Sequence, residues 1–369
     1  MAPIWSKQPF TAVYLLFQIM VMMGITLPWI LVRNIPKSAR AVPDMSYKLG
    51  VINGLVKKVL SVCTTIRANM MGSVKADHNK FKDRYDEATP ADTSLYTGVL
   101  TPGPTNPAPV GGLWYPARPP AASSDIETEK IVLHFPGGGF VLGFGANMFG
   151  RVVADAELRH LKADRVFYAQ YRPAQDDSTR FPASLQDVVT CYNYVLSLGF
   201  KPQNIIVAGD SCAGNLVLGL LRYFETSTLP KPSGAIVWSP WVHVVAGAGT
   251  LYSQHKNAVS DNLPSELLNW GVDDYYPKHD PTAEELAYIS PLHHPFKTSV
   301  PLVIHGGEIE GLYDSIAEFA QEMKAVEGNQ VLISSTRLST HNLIQSYGGN
   351  GLEPEVERLH TDALKLFQQ

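Results

Sequence analysis

The chain has few cysteines, no excess of basic charge and no Cys/His spacing typical of a metal site. Each of these features argues against a class of protein. The 369 residues include 3 cysteines (Cys63, Cys191 and Cys212), which are too few for a disulfide framework and fit a reducing compartment. No spacing of Cys and His typical of a metal site occurs, and we expect neither a metal nor a cofactor. The formal net charge of -4 provides no basic surface for nucleic acid.

Nucleotide-binding motifs are also lacking, although residues 131–143 contain three consecutive glycines after a short apolar run. No Gly-Lys-[Ser/Thr] follows the glycines, and no G-x-G-x-x-G with a downstream acidic ribose ligand is present, which argues against a phosphate cradle. Three glycines in a row leave backbone N–H groups free to point into a cavity, as an oxyanion hole requires. The expected donors are the N–H groups of Gly137, Gly138 and Gly139, together with that of Cys212.

A second strand-to-turn segment carries the candidate nucleophile. Residues 205–215 form a β-branched run that breaks into small residues around one hydroxyl, Ser211, and lead directly into an apolar helix. This pattern is typical of a nucleophile elbow, in which a sharp turn between strand and helix exposes the serine. Gly209 occupies the small upstream position, whereas Ala213 replaces the second glycine of G-x-S-x-G and adds one methyl group.

The other two groups of a serine triad are expected in the order acid, then histidine. A later apolar strand ends in a loop with Glu308, Glu310 and Asp314. His341 lies in a further loop, before the last predicted helix. We therefore expect His341 to accept the proton of Ser211 and Glu310 to orient the imidazole.

Chain order singles out His341 among the 11 histidines. His305 lies within an apolar strand and is interpreted as a core histidine. His293 and His294 lie in a loop bounded by prolines and are expected to be solvated. Within the acid loop, Glu308 remains the alternative partner of the base.

Together these segments resemble the hormone-sensitive-lipase-like family of α/β-hydrolases, from about Tyr96 to the C-terminus. The family elbow Gly-Asp-Ser-Ala-Gly-Gly corresponds to residues 209–214, and its acid segment G-x-x-D-x-L-x-D corresponds to residues 307–314. Glu310 stands at the usual Asp position, and residues 239–241 match the family's Ser-Pro-Trp. The resemblance implies an α/β-hydrolase fold, a Ser–acid–His triad and esterase or lipase activity.

Two positions depart from the family pattern. Pro136 stands where the family has the histidine of His-Gly-Gly-Gly, whose side chain helps to brace the loop. His134 lies two residues upstream, and strand alternation by itself does not return it to that role. His243 stands where relatives usually have Asp. Because the proposed donors are backbone N–H groups and the triad residues are intact, we expect a functional site.

Alternating strands and helices from Ile131 onward favour a mainly parallel sheet covered by helices, as in the α/β-hydrolase fold. We expect a membrane anchor in residues 1–40, N-terminal cap helices in residues 41–95 and a catalytic domain in residues 96–369. A second cap insertion is expected at about residues 244–289, between two strands of the sheet.

Both cap segments are expected to contact the substrate. Apolar residues at helical spacing predict an amphipathic helix over Tyr47–Met70, interpreted as a roof over the pocket; contact with a membrane surface is an open alternative. In the second insertion, apolar and aromatic side chains are expected to line an acyl or ring-shaped group: Leu267, Leu268, Trp270, Tyr275 and Tyr276.

Charge is missing between Lys7 and Arg33. A helix over residues 10–32 reaches roughly 35 Å, enough to cross the hydrocarbon layer of a bilayer. Its length and the lack of a small-residue cleavage site argue against a cleaved signal peptide, and a buried or lipid-dipping cap helix is the alternative. Basic residues after the segment and the absence of any N-x-[Ser/Thr] sequon favour a cytosolic catalytic domain. We expect a single-pass N-terminal anchor in the endoplasmic reticulum membrane.

The sequence thus predicts a serine hydrolase that cleaves a carboxylic ester of a small lipophilic or acetylated substrate through an acyl-enzyme on Ser211. A lactonase, thioesterase or acyltransferase uses the same acyl-enzyme and is an alternative. A further alternative is a ligand-binding homologue without turnover, and the intact set of Ser211, Glu310 and His341 argues against it.

Overall fold

The computed structural model describes residues 3–68, 79–120, 125–143 and 147–368. Its strands are β1 (Tyr85–Ala88), β2 (Val110–Tyr115), β3 (Ile131–Phe135), β4 (Arg165–Ala169), β5 (Ile205–Asp210), β6 (Gly234–Trp238), β7 (Leu302–Gly307) and β8 (Val331–Thr336). They form an eight-stranded sheet in the order β1-β2-β4-β3-β5-β6-β7-β8. β2 runs antiparallel to β1 and to β4, and the other neighbouring strands are parallel. The predicted mainly parallel sheet is confirmed.

Helices cover both faces of this sheet. In the described residues they are α1 (Phe10–Val21), α2 (Leu27–Arg33), α3 (Tyr47–Thr65), α4 (Gly150–His160), α5 (Ala183–Ser197), α6 (Cys212–Phe224), α7 (Ala248–Gln254), α8 (Ser265–Tyr275), α9 (Ala283–Ile289), α10 (Tyr313–Ala325), α11 (Leu343–Asn350) and α12 (Glu353–Phe367). Side chains of α5, α6 and α10 share one core, and those of α4, α11 and α12 share the other. Leu133 enters the first core and Val132 the second, because successive strand residues point to opposite faces.

The edge of the sheet lies earlier in the chain than the sequence suggested. β1 begins at Tyr85 and therefore lies within residues 41–95, which the sequence assigned to cap helices. This strand has 4 residues, and Asp86 and Glu87 occupy its centre. Short, charged edge strands protect a sheet from further pairing, but they lack the apolar pattern by which strands are recognised in a sequence.

The two cap segments are helical, as expected. α3 begins after Ser46, whose hydroxyl accepts a hydrogen bond from the N–H of Leu49, and ends at Thr65. It stops short of the predicted Met70, and residues 69 and 70 lie outside the described residues. α7, α8 and α9 form the second insertion between β6 and β7.

The N-terminal apolar segment forms one continuous helix over Phe10–Arg33, with a wider π-helical turn at Met22–Thr26. The wide turn lies just before Pro28, which has no N–H to offer the helical ladder. Within the described residues, this is the one helix long and apolar enough to cross a membrane, and 6% of its most apolar window is buried. Such exposure is unlike that of a core helix, whereas a signal sequence near the N-terminus passes the same test of length and hydropathy.

α2 lies against α3 where two glycines of α3 are one turn apart. A Cβ added at Gly54 would lie 3.1 Å from Cδ1 of Ile30, and one at Gly50 would lie 2.1 Å from Oδ1 of Asn34. Ile30 is the buried residue of α2, and the Asn34 side chain donates to its carbonyl oxygen at 2.8 Å. The two glycines therefore allow the helices to approach closely.

Gly54→Leu should weaken the contact between α2 and α3. The added side chain must displace Ile30, and overpacking of this kind typically costs ~1–3 kcal/mol. Thermal unfolding of the full chain in detergent should show a lower Tm, and limited proteolysis between the two helices should become faster. Gly24→Leu is the matched control, because no atom of the described residues lies within 4 Å of its added Cβ. Equal losses of Tm in both variants would contradict the close contact.

Candidate active site

The carboxyl ends of the parallel strands meet at one edge of the sheet, and the predicted site residues follow four of these strands. Three glycines follow β3, Ser211 follows β5, Glu310 follows β7 and His341 follows β8. Ligands of open α/β sheets bind at this edge. The topology therefore brings together Ser211 and His341, which are 130 positions apart in the sequence.

Ser211 lies at the turn between β5 and α6 with a left-handed backbone, at φ 56° and ψ -125°. This conformation is costly for a residue with a side chain and persists only where the surroundings enforce it. The turn requires a small residue upstream, since a Cβ on Gly209 would lie 2.6 Å from the carbonyl oxygen of Ala213. Ala213 is itself fully buried, so the fold accommodates its methyl group.

A buried hydrogen-bond relay connects Ser211 to Glu310. His341 Nε2 lies 2.8 Å from Ser211 Oγ, and His341 Nδ1 lies 2.7 Å from Glu310 Oε2. The second carboxylate oxygen, Oε1, accepts the N–H of Gly307 at 2.6 Å and the hydroxyl of Ser239 at 2.9 Å. These bonds hold the carboxylate with Oε2 toward the imidazole. The structure thus brings the three predicted triad residues together in the order that proton transfer requires.

Glu310 faces the imidazole, and the neighbouring acids do not. The Glu308 carboxylate accepts a hydrogen bond from the hydroxyl of Ser335 at 2.7 Å. Asp314 lies 2.9 Å from Nε2 of His255 near the surface. Of the three acids in this loop, β7 and the turn after it therefore place only Glu310 against the imidazole of His341.

The relay raises the basicity of His341. Burial alone lowers the pKa of this imidazole, but the hydrogen bond and the charge of Glu310 outweigh burial and raise the pKa above its ordinary value. Burial raises the pKa of Glu310, and its bond to His341 opposes that effect. Glu310 thereby stabilises the imidazolium that forms when His341 takes a proton.

The N–H of Gly137 is already bound within the protein, which argues against its expected role as an oxyanion donor. It donates to Oδ2 of the buried Asp210 at 2.8 Å. At the other end of the glycine loop (residues 136–140), the N–H of Phe140 donates to Sγ of Cys212 at 3.1 Å. The two residues that flank the nucleophile therefore hold the two ends of this loop.

Of the other expected donors, Gly138, Gly139 and Cys212, the N–H of Gly138 faces the thiol of Cys212. Gly138 and Gly139 border a cavity together with Ser211. Among the described residues, no protein atom accepts a hydrogen bond from the N–H of Gly139 or of Cys212. Burial raises the pKa of the Cys212 thiol to about 11, so the thiol stays protonated and only its backbone is suited to the chemistry.

An apolar cavity of about 320 Å³ adjoins Ser211 and His341. α3 forms one wall and the second cap insertion forms another. Most of the side chains in these walls are aliphatic: Ile52, Val56, Leu60, Leu263, Leu267 and Leu268. The site therefore combines the relay of Ser211, His341 and Glu310 with an adjoining pocket that has mainly apolar walls.

Leu267 and Leu268 line this cavity as expected, but the aromatic residues predicted beside them do not. The ring of Tyr275 stacks on that of Phe140, so Tyr275 supports the glycine loop. The other two aromatic residues also lie outside the cavity: Trp270 and Tyr276. The sequence did not determine whether these aromatic side chains face the pocket or the core. In the structure they pack away from the pocket.

Asp261, which the sequence analysis does not single out, holds the loops of the acid and the base. Its Oδ1 accepts the N–H of His341 at 2.9 Å. Its Oδ2 accepts the N–H of Gly311 at 2.8 Å and the hydroxyl of Tyr252 at 2.9 Å. No motif marks this residue, because its partners are distant in the sequence.

The remaining histidines of interest lie outside the cavity. His305 is buried in β7, as expected, and burial lowers its pKa to about 3. His293 is exposed as expected, whereas His294 is half-buried. Within the described residues, one surface group has ligand atoms close enough for a metal ion, His293 with Glu318 and Glu322, and exposed groups of this kind are common without an ion.

The match to a known family includes the whole relay. The family model described as alpha/beta hydrolase fold matches residues 132–345, which contain the three glycines and all three triad residues. The chain belongs to the α/β-hydrolase fold family. In this α/β-hydrolase the candidate nucleophile, acid and histidine follow one another in the order usual for the family.

Curated relatives align with part of this α/β-hydrolase. An esterase of Acinetobacter venetianus is 26% identical over 207 residues, which are 55% of this chain and 64% of the relative. An acetyl-hydrolase of Streptomyces hygroscopicus is 26% identical over 193 residues, 52% of this chain and 61% of the relative. The chain thus spans less than two thirds of the length of either relative.

Solved structures share the fold over a longer stretch. An esterase of the bacterial hormone-sensitive lipase family has a TM-score of 0.61 at 21% identity and covers 87% of this chain and 99% of its own. EstE5, soaked with p-nitrophenyl butyrate, has a TM-score of 0.60 at 22% identity and covers 94% of this chain and 100% of its own. At these identities the likeness establishes the fold, which agrees with the resemblance seen in the motifs.

Glu310→Gln should slow the reaction of Ser211 with a fluorophosphonate by roughly 10⁴-fold, as when the acid of a serine triad becomes an amide. In the native chain the labelling rate should fall at acid pH, because His341 must be neutral to accept the proton. The midpoint of this fall should lie above 6.5, the ordinary pKa of histidine, because the pKa of His341 is raised. In Glu310→Gln this midpoint should move to lower pH. The measurement is the labelling rate between pH 5 and 8.

Glu308→Gln is the matched control, since Glu308 contacts Ser335 and not the imidazole. Its labelling rate and acid midpoint should equal those of the native chain. A large loss in Glu308→Gln with a small one in Glu310→Gln would reverse the assignment of the acid.

Proposed function

We propose that this α/β-hydrolase cleaves a carboxylic ester of a small lipophilic or acetylated substrate through an acyl-enzyme on Ser211. The observation that carries the proposal is the buried relay from Ser211 through His341 to Glu310. Such an alignment activates a hydroxyl as a nucleophile, whereas a binding-only protein gains nothing from it.

The reaction proceeds in two halves. Ser211 Oγ attacks the ester carbonyl carbon while its proton passes to Nε2 of His341. The N–H groups of Gly138, Gly139 and Cys212 donate to the oxyanion, and loss of one such donor typically costs about 3 kcal/mol of barrier. His341 then protonates the departing alcohol, which leaves the acyl group on Ser211. In the second half, water attacks the acyl carbon and gives a proton to His341, which passes it to Ser211 Oγ as the acid leaves.

The cavity supports a small, lipophilic substrate. Its volume of about 320 Å³ lies at the lower end of ligand pockets, which span roughly 300–1,000 Å³. Aliphatic walls favour an apolar acyl or alcohol group, since each buried CH₂ contributes about 0.8 kcal/mol. The names of the relatives, an esterase and an acetyl-hydrolase, agree with ester chemistry.

The N-terminal helix supports a membrane location, and we propose that residues 10–32 form a single-pass anchor. Large apolar side chains such as Leu16, Met20 and Met23 are exposed along this helix. Exposed apolar area of this extent is costly in water and favourable in a bilayer. The basic residues that follow favour the cytosolic side for the catalytic domain, with the endoplasmic reticulum as the proposed membrane.

A fluorophosphonate probe should label the purified full chain, and Ser211→Ala should abolish the labelling. Hydrolysis of p-nitrophenyl acetate and butyrate should disappear with it, because both reactions need the activated hydroxyl. Intact-mass spectrometry gives the extent of labelling, and absorbance gives the rate of hydrolysis. Ser253→Ala, a change at an exposed cap serine, is the control that should retain both activities.

Other outcomes select the alternatives. Folded protein that neither reacts with the probe nor hydrolyses any ester would favour a ligand-binding homologue. Higher kcat/KM for a lactone or thioester than for any ester of equal size would favour the other acyl-enzyme reactions.

The anchor predicts that the full chain stays in the membrane pellet after alkaline carbonate extraction. Leu16→Lys with Met20→Lys should release it to the supernatant, because each charge at the centre of a span costs roughly 2.5–3.5 kcal/mol. Val259→Lys is the control, since Val259 is 70% exposed and lies outside the helix. An intact mass that lacks the first forty residues would instead identify a cleaved signal sequence.

A further inference from the structure

We propose that His134 is a positioning residue that holds the glycine loop in place through Asp210. The inference rests on the proposed function, because the loop acts only when a substrate oxygen binds beside it. In the family pattern a histidine at the position of Pro136 helps to brace the glycine loop, and Pro136 is unable to do so. The inference concerns which residue braces the loop instead.

His134 lies between two buried carboxylates. Its Nδ1 is 2.7 Å from Oε1 of Glu157, and its Nε2 is 3.1 Å from Oδ1 of Asp210. None of the three side chains is exposed to solvent. A neutral imidazole has one N–H and serves one carboxylate, whereas an imidazolium has two and serves both. The geometry therefore fits a cation that neutralises part of a buried negative pair.

Asp210 transmits this brace to the glycine loop. Its second oxygen, Oδ2, accepts the N–H of Gly137 at 2.8 Å. The same oxygen accepts the side-chain amides of Asn342 at 2.5 Å and Gln345 at 3.0 Å. One carboxylate thus joins the glycine loop, the nucleophile turn and the segment after His341. Its negative charge is buried, and the cation beside it offsets the cost of that burial.

The groups around His134 set the pH range of the brace. Burial lowers the pKa of His134, but the charges and hydrogen bonds of Glu157 and Asp210 outweigh burial and raise it to about 9. On β4, the ring of Tyr168 stacks on the imidazole, and burial keeps this phenol neutral by raising its pKa. On α12, burial lowers the pKa of His360 to about 3, so it is neutral too.

The sign of the pH effect follows from the raised pKa. An unfolded histidine titrates near 6.5, so the contribution of His134 to stability is complete below that pH and is lost as pH rises through about 9. The glycine loop should therefore be held less firmly in place over the same pH range. Catalysis by the native chain should therefore decline at alkaline pH.

His134→Gln removes the positive charge and keeps one amide donor. Its kcat for p-nitrophenyl butyrate should fall by on the order of 10²-fold with little change in KM, because a displaced loop affects the transition state more than substrate binding. The decline of kcat through about pH 9 in the native chain should be missing from its pH profile. NMR of the folded native chain should show an imidazole that titrates near 9 and is missing in the variant.

His305→Gln is the matched control. His305 is also buried in the sheet, but its pKa is lowered to about 3, so the same substitution there removes no charge. It should lower Tm while it leaves kcat and the alkaline decline unchanged. Equal losses of kcat in both variants, measured where both are folded, would overturn the inference, as would an alkaline decline that persists in His134→Gln.

Two further results separate the possible failures. If His134→Gln does not fold, Glu157→Gln tests the same brace, because removal of one carboxylate charge should move the alkaline decline and the NMR titration to lower pH. An unchanged titration there would also overturn the inference. If the native chain hydrolyses no ester, the proposed function fails, and the NMR titration still determines whether His134 carries the charge.

Discussion

The strained turn at Ser211 is the constraint on which the site depends. Its left-handed backbone directs the hydroxyl to His341 and sends the side chains of Asp210 and Cys212 to opposite ends of the glycine loop. One residue in a costly conformation therefore sets the nucleophile and the loop at once. β5 and α6 enforce that conformation, because both are buried on either side of the turn.

The site contains two buried histidines, and the number of acids beside each determines its role. His341 has Glu310 on one nitrogen and the hydroxyl of Ser211 on the other, so it is able to gain and lose a proton. His134 has a carboxylate on both nitrogens, and no group in the described part of the chain donates a hydrogen bond to it. A histidine in the first arrangement is suited to proton transfer, whereas one in the second is suited to carry a buried positive charge at pH values below its raised pKa.

Sequence patterns were sufficient where a local rule applied. A β-branched run that ends in small residues predicts the elbow at Ser211, and the order of acid and base predicts Glu310 and His341. The patterns failed where a contact joins distant segments. Gly137 was expected to face the substrate, but Asp210 binds its N–H. Asp261 carries no motif although it holds both the acid and base loops.

By itself, the sequence determined the family and the parallel sheet and singled out three candidate chemical groups, because glycine spacing, strand hydrophobicity and chain order are local properties of the polymer. Tertiary structure alone decided which glycine N–H groups stay free and which cap side chains border the pocket. It also placed His134 beside Asp210, because the two residues lie on the neighbouring strands β3 and β5. Such choices depend on distances between segments that no spacing along the chain encodes.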